Sequence, residues 1–469
     1  MIPALPAHTR SRLRTATLAC CLTPLAALGQ TRAASGAGFA PLFDGRSLDG
    51  WVRCNGTAPF TVEDGTIIGR AVLGSPNSFL CTRERYGDFV LEFEFRQDSL
   101  LPYNSGVQVR SAVDPAVRGG RVHGYQLDID PTPRRWTGGI YDESRRGWLH
   151  TLDGQTAAQN AYRLGQWNRL RVEAIGSSIR TFVNGVPAAD IVDDLSPSGI
   201  IALQVHDIGT DTARAGKTVQ FRNLRIRTGN LAAARTPPSR TGTQFNRIPN
   251  TLSDREKADG WTLLWDGRST TGWRGAKLAT FPAQGWEIRD GMLSVLETEG
   301  KEAAAGGDIV TDAEYENFEL TLEYRLTRGA NSGIKYFVNT ALNMSAGSAI
   351  GAEFQVLDDA VHPDAKLGVA GNRTNGGLYD LIAPINRRPN PIGEWNQVRI
   401  VVRGSQVEHW LNGFRTVRYE RGTQLWRALV SHSKYRDWPN FGEAARGRIL
   451  LQDHGNAVSY RSIKLRELR

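Results

Sequence analysis

The chain states much of its sequence twice, and no other feature constrains its fold as strongly. Leu42-Phe43-Asp44-Gly45 followed by Gly50-Trp51 returns as Leu264-Trp265-Asp266-Gly267 followed by Gly272-Trp273. Phe89-Val-Leu-Glu-Phe-Glu-Phe-Arg96 returns as Phe318-Glu-Leu-Thr-Leu-Glu-Tyr-Arg325, and Asn104-Ser105-Gly106 as Asn331-Ser332-Gly333. Gly139-Ile140-Tyr141-Asp142 matches Gly377-Leu378-Tyr379-Asp380. Trp167-Asn168, Asn184-Gly185 and Leu203-Gln204…His206 recur as Trp395-Asn396, Asn412-Gly413 and Leu451-Gln452…His454. The matches keep their order at a slowly drifting offset. A solenoid would repeat every ~20–50 residues, so a whole domain has been duplicated, and differences between the copies become evidence about which one works.

Within each copy the hydrophobic period is two. Phe89–Phe95 and Phe318–Tyr324 alternate an apolar face with a polar or acidic one, which is the pattern of a half-buried strand. Gly333–Val338, Glu353–Leu357, Gln397–Val402 and Val407–Leu411 read the same way. Asn184-Gly185 and Asn412-Gly413 sit between such runs as two-residue hairpin turns. No long stretch carries a helical period, so each half is predicted to be an antiparallel β-sandwich or jelly roll. The expected organisation is a first domain at 38–228, a linker at 229–251 and a second domain at 252–469. The linker is polar, aperiodic and rich in Pro, Gly and Thr. Ser253-Asp-Arg-Glu256 fits a capping box that opens a short helical turn at the start of the second domain.

Residues 1–33 read as a signal peptide: Arg10, Arg12 and Arg14 precede a short apolar stretch, and small residues follow at Ala33-Ala34-Ser35. The expected location is therefore periplasmic or extracellular, with no integral membrane span. Of the formal charge of +9, four units belong to arginines in this segment, which has no acid, leaving +5. That excess is spread along the chain and not gathered into a stripe, which argues against nucleic-acid binding. Cys54 and Cys81 remain after processing, either as one disulfide or as two separate thiols.

The second copy resembles the 3-keto-disaccharide hydrolase domain family. The residues carrying the resemblance are Gly260-Trp-Thr-Leu-Leu-Trp-Asp-Gly267, Gly307-Asp-Ile-Val-Thr311, Asn331-Ser-Gly-Ile-Lys335, Glu353-Phe-Gln-Val-Leu-Asp358, Gly377–Pro384, Glu408–Gly413 and Leu451-Gln-Asp-His-Gly455. The first copy resembles the same family more distantly. The resemblance implies a concanavalin A-like jelly roll and a sugar substrate already oxidised at C3. It also implies a 1,2-elimination giving a 2-hydroxy-glucal, whose hydration completes a net hydrolysis. A C3 ketone acidifies the proton on C2, so such a site needs a general base, a partner for charge on O3 and an acid for the leaving oxygen. A non-catalytic carbohydrate-binding jelly roll is the alternative, since this architecture serves both roles.

Candidates for those roles follow from the pattern. Glu353 and Gln355 share one strand face, and the first copy has Gln126-Leu-Asp128 there, with its carboxylate moved by two residues. Glu353 is the expected base or metal ligand, with His454 as acid/base partner. Lys434 lies in a loop, Ser431–Gly442, that the first copy lacks, where Asp194–Gly199 makes the same crossing. Lys434 and Tyr379 are expected to stabilise the enolate or position the sugar, with Asp380 orienting them. Asn331, Lys335, Gln355 and Trp410 are candidates for sugar contact. Asp358-Asp359…His362-Pro-Asp364 concentrates oxygen donors suited to a divalent cation, without EF-hand spacing.

Overall fold

A computed structural model describes residues 38–237, 242–304, 306–342 and 348–469. Residues 1–33, read above as a signal peptide, lie outside the described residues. Each half is a two-sheet sandwich with antiparallel pairing between its sequence-neighbouring strands. In the first half, one sheet runs Val186–Val192, Ser178–Val183, Asn168–Ile175, Phe89–Gln97, Thr218–Arg227, Thr66–Arg70 and Phe60–Glu63. The other runs Gly147–His150, Ile140–Glu143, Val122–Ile129, Ser105–Val113, Ile200–Val205, Ser78–Thr82 and Trp51–Asn55. The second half repeats the plan. Its larger sheet centres on Phe318–Leu326 between Trp395–Arg403 and Val458–Glu467. Its smaller sheet runs Trp273–Gly275, Ile309–Thr311, Arg448–Leu451, Asn331–Val338 and Ala352–Leu357. The molecule is thus two tandem concanavalin A-like jelly rolls.

Strand alternation explains both cores. Phe89, Leu91, Phe93 and Phe95 point into the first, and Phe318, Leu320, Leu322 and Tyr324 into the second. Asn184-Gly185 and Asn412-Gly413 both take positive φ (49° and 83°, 50° and 82°). They join strands whose end pairs are Val183–Val186 and Leu411–Phe414, as a two-residue primed turn requires. Cys54 and Cys81 form a disulfide between adjacent strands, with Cα atoms 6.1 Å apart.

The stretch read as a linker is strapped down. Thr236 bonds Glu173 through its backbone N–H at 2.8 Å and its hydroxyl at 2.6 Å. Phe245–Asn246 adds a parallel strand to Val186–Val192. The capping box forms as expected: the Ser253 hydroxyl accepts from the Glu256 N–H, and the Glu256 carboxylate accepts from the Ser253 N–H. Ala34–Arg469 forms one compact unit, with Phe414 of the second half packed on Trp136 of the first at 5.1 Å between ring centres. Among the described residues no helix is long and apolar enough to cross a membrane.

Candidate active site

The floor of the site is a pair of strands. Asn331–Val338 and Ala352–Leu357 run antiparallel, with Lys335 opposite Glu353 and Gly333 opposite Gln355. Alternation sends Ile334, Tyr336, Phe354 and Val356 into the core. Asn331, Gly333, Lys335, Glu353 and Gln355 fall on the other face. Gly333 is there for space: a Cβ would lie 2.2 Å from Glu353 Oε1. The glutamate therefore lies flat across the neighbouring strand, only 3% exposed. The serine of the same motif faces inward, where the Ser332 hydroxyl donates to the Gln452 carbonyl at 2.7 Å.

Two loops build the walls. In the first, Arg373 ties Asp364 (3.0 Å) to Asp380 (2.6 Å). Asp380 also accepts from the backbone N–H of Lys434 at 2.7 Å, so one carboxylate joins both walls. The Tyr379 N–H donates to the Glu353 carbonyl at 3.0 Å. The second wall starts as a helix, Gln424–Ser431, capped by Thr423, which the sequence reading did not anticipate. Its Trp426 stacks between Tyr419 and Phe441, and Phe441 stacks on Tyr435 at 3.9 Å. This aromatic pile sets Lys434 Nζ 4.0 Å from the centre of the Tyr379 ring. It also sets the Tyr435 hydroxyl, which donates to Glu353 Oε2 at 3.5 Å.

Between floor and walls lies a cleft of ≈ 330 Å³ lined by Asn331, Glu353, Tyr379, Lys434, Gln452 and His454, with Glu302, His362, Asp364 and Leu367 at its sides. Burial depresses the Lys434 ammonium pKa, an effect opposed by Glu353. Burial, reinforced by Glu353 and Asp364, pushes the Tyr379 phenol well up, so it remains a donor. His362 faces His454 edge to face at 5.8 Å, and burial followed by the neighbouring imidazole lowers its pKa.

Five of the residues singled out from sequence thus meet in one cleft: Glu353, His454, Lys434, Tyr379 and Asn331. Asp380 stands behind as the tie between walls. Lys335 and Gln355 share the face of Glu353 but are buried and do not line the cleft. Gln355 donates to Asn331 Oδ1 at 3.3 Å. Trp410 is elsewhere. It sits on the outer sheet beside Arg399 and Arg415, facing a small gap shared with Thr151, Asp153 and Gln155 of the first half. His409, on the opposite strand face, is buried against the Tyr336 hydroxyl at 2.8 Å. Strand alternation could tell that the two residues differ, but not which sheet they belong to.

The acidic loop is committed to itself. Asp358 accepts from the Gly329 N–H at 2.7 Å, Asp359 pairs with Arg387, and Asp364 pairs with Arg373. Those oxygens do not converge as a cation site would require, and among the described residues no group of three or more His, Cys, Asp or Glu is arranged to hold a metal. Sequence reasoning also passed over Arg373, Tyr435 and Gln452. Gln452 had a signal, since it recurs with the late histidine.

The first half offers a control. The register places Gln108 opposite Gln126 and Gly106 opposite Asp128, so Gln108 and Gln126 stand where Lys335 and Glu353 do. They bond to each other at 2.8 Å as neutral amides. Asp128 occupies the Gln355 position, its pKa pushed up to about 7 by burial and Asp130. Phe79, fully buried, takes the place of Asp308 in the same sheet, one strand beyond Ile200–Val205.

The profile of the 3-keto-alpha-glucoside-1,2-lyase-like domain matches residues 38–227 and again 260–466. A 3-keto-disaccharide hydrolase of Bacteroides thetaiotaomicron is 35% identical over 231 residues, 45% of this chain and 79% of that protein. Two solved proteins of Parabacteroides distasonis, provisionally called glycosyl hydrolases, are also similar. One is 29% identical with a TM-score of 0.42, covering 47% of this chain and all (100%) of its own. The other is 24% identical with a TM-score of 0.34, covering 44% of this chain and 99% of its own.

Proposed function

The chain belongs to the 3-keto-alpha-glucoside-1,2-lyase-like domain family, in two copies, and from that premise we propose that its second half cleaves 3-keto-glycosides, among them 3-keto-disaccharides. The Glu353 carboxylate takes the proton from C2 of the sugar. The electron pair left behind is shared with the C3 ketone as an enolate, whose charge on O3 is stabilised by the Lys434 ammonium and the Tyr379 hydroxyl. Collapse of the enolate forms the C1–C2 double bond and breaks the C1–O bond, and His454 gives a proton to the departing oxygen. Water then adds its oxygen to C1 and gives one proton back to His454, while C2 regains a proton from Glu353 after that carboxyl has exchanged with solvent, which leaves the free 3-keto sugar and restores both residues. Asn331 and Gln452 supply amide contacts to sugar hydroxyls.

One observation carries this reading: Glu353, Tyr379, Lys434 and His454 surround a single cleft, whereas the first half has neutral amides and a phenylalanine at the matching floor positions. The first half is accordingly assigned a non-catalytic role. Action after export belongs to the same reading, supported by the disulfide. The test is to incubate the protein with a 3-keto-glucoside and with the unoxidised parent glucoside, each with and without EDTA. Release of sugar or glucal from the keto substrate alone, with or without EDTA, is expected. Equal cleavage of the parent would sink the proposal.

A further inference from the structure

Beside Glu353, on the same face of the sheet, a line of buried polar groups runs from the Ala352–Leu357 strand through Asn331–Val338 and past Arg448–Leu451 to Asp308, just before Ile309–Thr311. Lys335 Nζ, 5% exposed as a residue, donates to the Ser348 hydroxyl and to the Ala349 carbonyl at 3.2 Å, and forms an ion pair with Glu353 Oε2 at 3.8 Å. The Ser348 hydroxyl donates to Asp308 Oδ2. Asp308 is fixed in turn by the backbone N–H groups of Ala349 (3.1 Å) and Asp453 (3.0 Å). Glu353 lines the cleft and Lys335 does not.

The duplication tests whether this line is scaffold or equipment. A residue needed for the sandwich would be expected in both halves, as Ser332 and Ser105 are, each hydrogen-bonded to the equivalent glutamine carbonyl. Instead all three charged members change together: Asp308 becomes Phe79, Lys335 becomes Gln108 and Glu353 becomes Gln126. The fold is built equally well without them. Among the described residues, these three charges in one sheet are therefore found together in the half that holds the cleft of Glu353 and Lys434. Burying an ion pair costs desolvation that its attraction seldom repays, which points to a purpose other than stability.

We propose that Lys335, anchored by Asp308 through Ser348, is the positioning residue that aims the Glu353 carboxylate at the substrate. This rests on Glu353 being the base. Misplacing a reacting group by about 1 Å costs roughly 100-fold in rate. The experiment compares wild type with Lys335→Met, Lys335→Arg and the double variant Lys335→Gln/Glu353→Gln on a 3-keto-glucoside, after melting curves establish that each is folded. The double variant reproduces the amide pair of the first half and should fold and be inactive. Lys335→Met should lose roughly 100-fold in kcat with KM moving by no more than about 3-fold, and Lys335→Arg should recover part of the loss. A folded Lys335→Met enzyme with wild-type kcat, or one whose loss lies wholly in KM, overturns the assignment. If Lys335→Met does not fold, Lys335→Arg is read against wild type in the same way. Should wild type turn over no 3-keto-glycoside, the proposed function fails. The positioning role is then read from crystals of Lys335→Met: a carboxylate displaced from Gly333 supports it, and one left in place refutes it.

Discussion

At the scale of single residues, the site depends on what is small as much as on what is charged. Gly333 leaves the space that Glu353 fills, and its backbone is compatible with a side chain, since its φ is not positive. Gly333→Ala should therefore leave stability within about 1 kcal/mol of wild type while pushing the flexible carboxylate off its seat, with kcat falling roughly 100-fold. Melting curves and steady-state rates together check this; a large fall in melting temperature with unchanged kcat would show that the glycine serves the fold alone. Much of this layer was legible. Period-two alternation put Glu353 and Gln355 on one face, and comparing the copies marked that face as different. Sequence could not say that the second of the two is buried out of reach of the cleft, because that depends on the walls that cover the face. Nor could it find Arg373, whose role comes from reaching two aspartates from separate parts of one loop.

Elements carry the next level of argument. The hairpins at Asn184-Gly185 and Asn412-Gly413 were readable because left-handed backbone at both turn positions has a local chemical signature. The helix Gln424–Ser431 was not, since at eight residues it is too short to establish a period. Its presence follows from tertiary packing: Trp426 is 2% exposed, and its indole N–H donates to the Phe441 carbonyl at 3.1 Å. Even Gly442 belongs to this packing, as a Cβ there would fall 2.5 Å from the indole ring. Trp426→Ala should cost about 3–5 kcal/mol and lower activity by loosening the segment that presents Lys434. Chemical denaturation and kcat measured below the transition check both parts. A destabilised but fully active variant would separate the aromatic pile from the site. The linker shows the converse error of composition-based reading. Its polar sequence suggests a tether, yet Thr236 and Phe245 bind it to the first sandwich, because a few specific bonds outweigh average polarity.

For the whole molecule, the duplication describes a division of labour. Both halves have the same sheet order around the motif strands, their own cores and their own hairpins. Among the described residues, the second combines the Glu353–Lys335 pair, the Lys434 wall and an open cleft. The first contributes a packing surface: its Thr151 hydroxyl donates to the Gly413 carbonyl at 3.1 Å, at the tip of the second half's hairpin. Proton abstraction from C2 by Glu353 is the centre of the account. Its most direct test is turnover of a 3-keto-glucoside carrying deuterium at C2, by wild type, Glu353→Gln and Asp128→Asn. The account predicts loss of the label to solvent with wild type and with Asp128→Asn at equal rates, and neither label loss nor cleavage with Glu353→Gln. Full turnover by Glu353→Gln, or its abolition by Asp128→Asn, would contradict it.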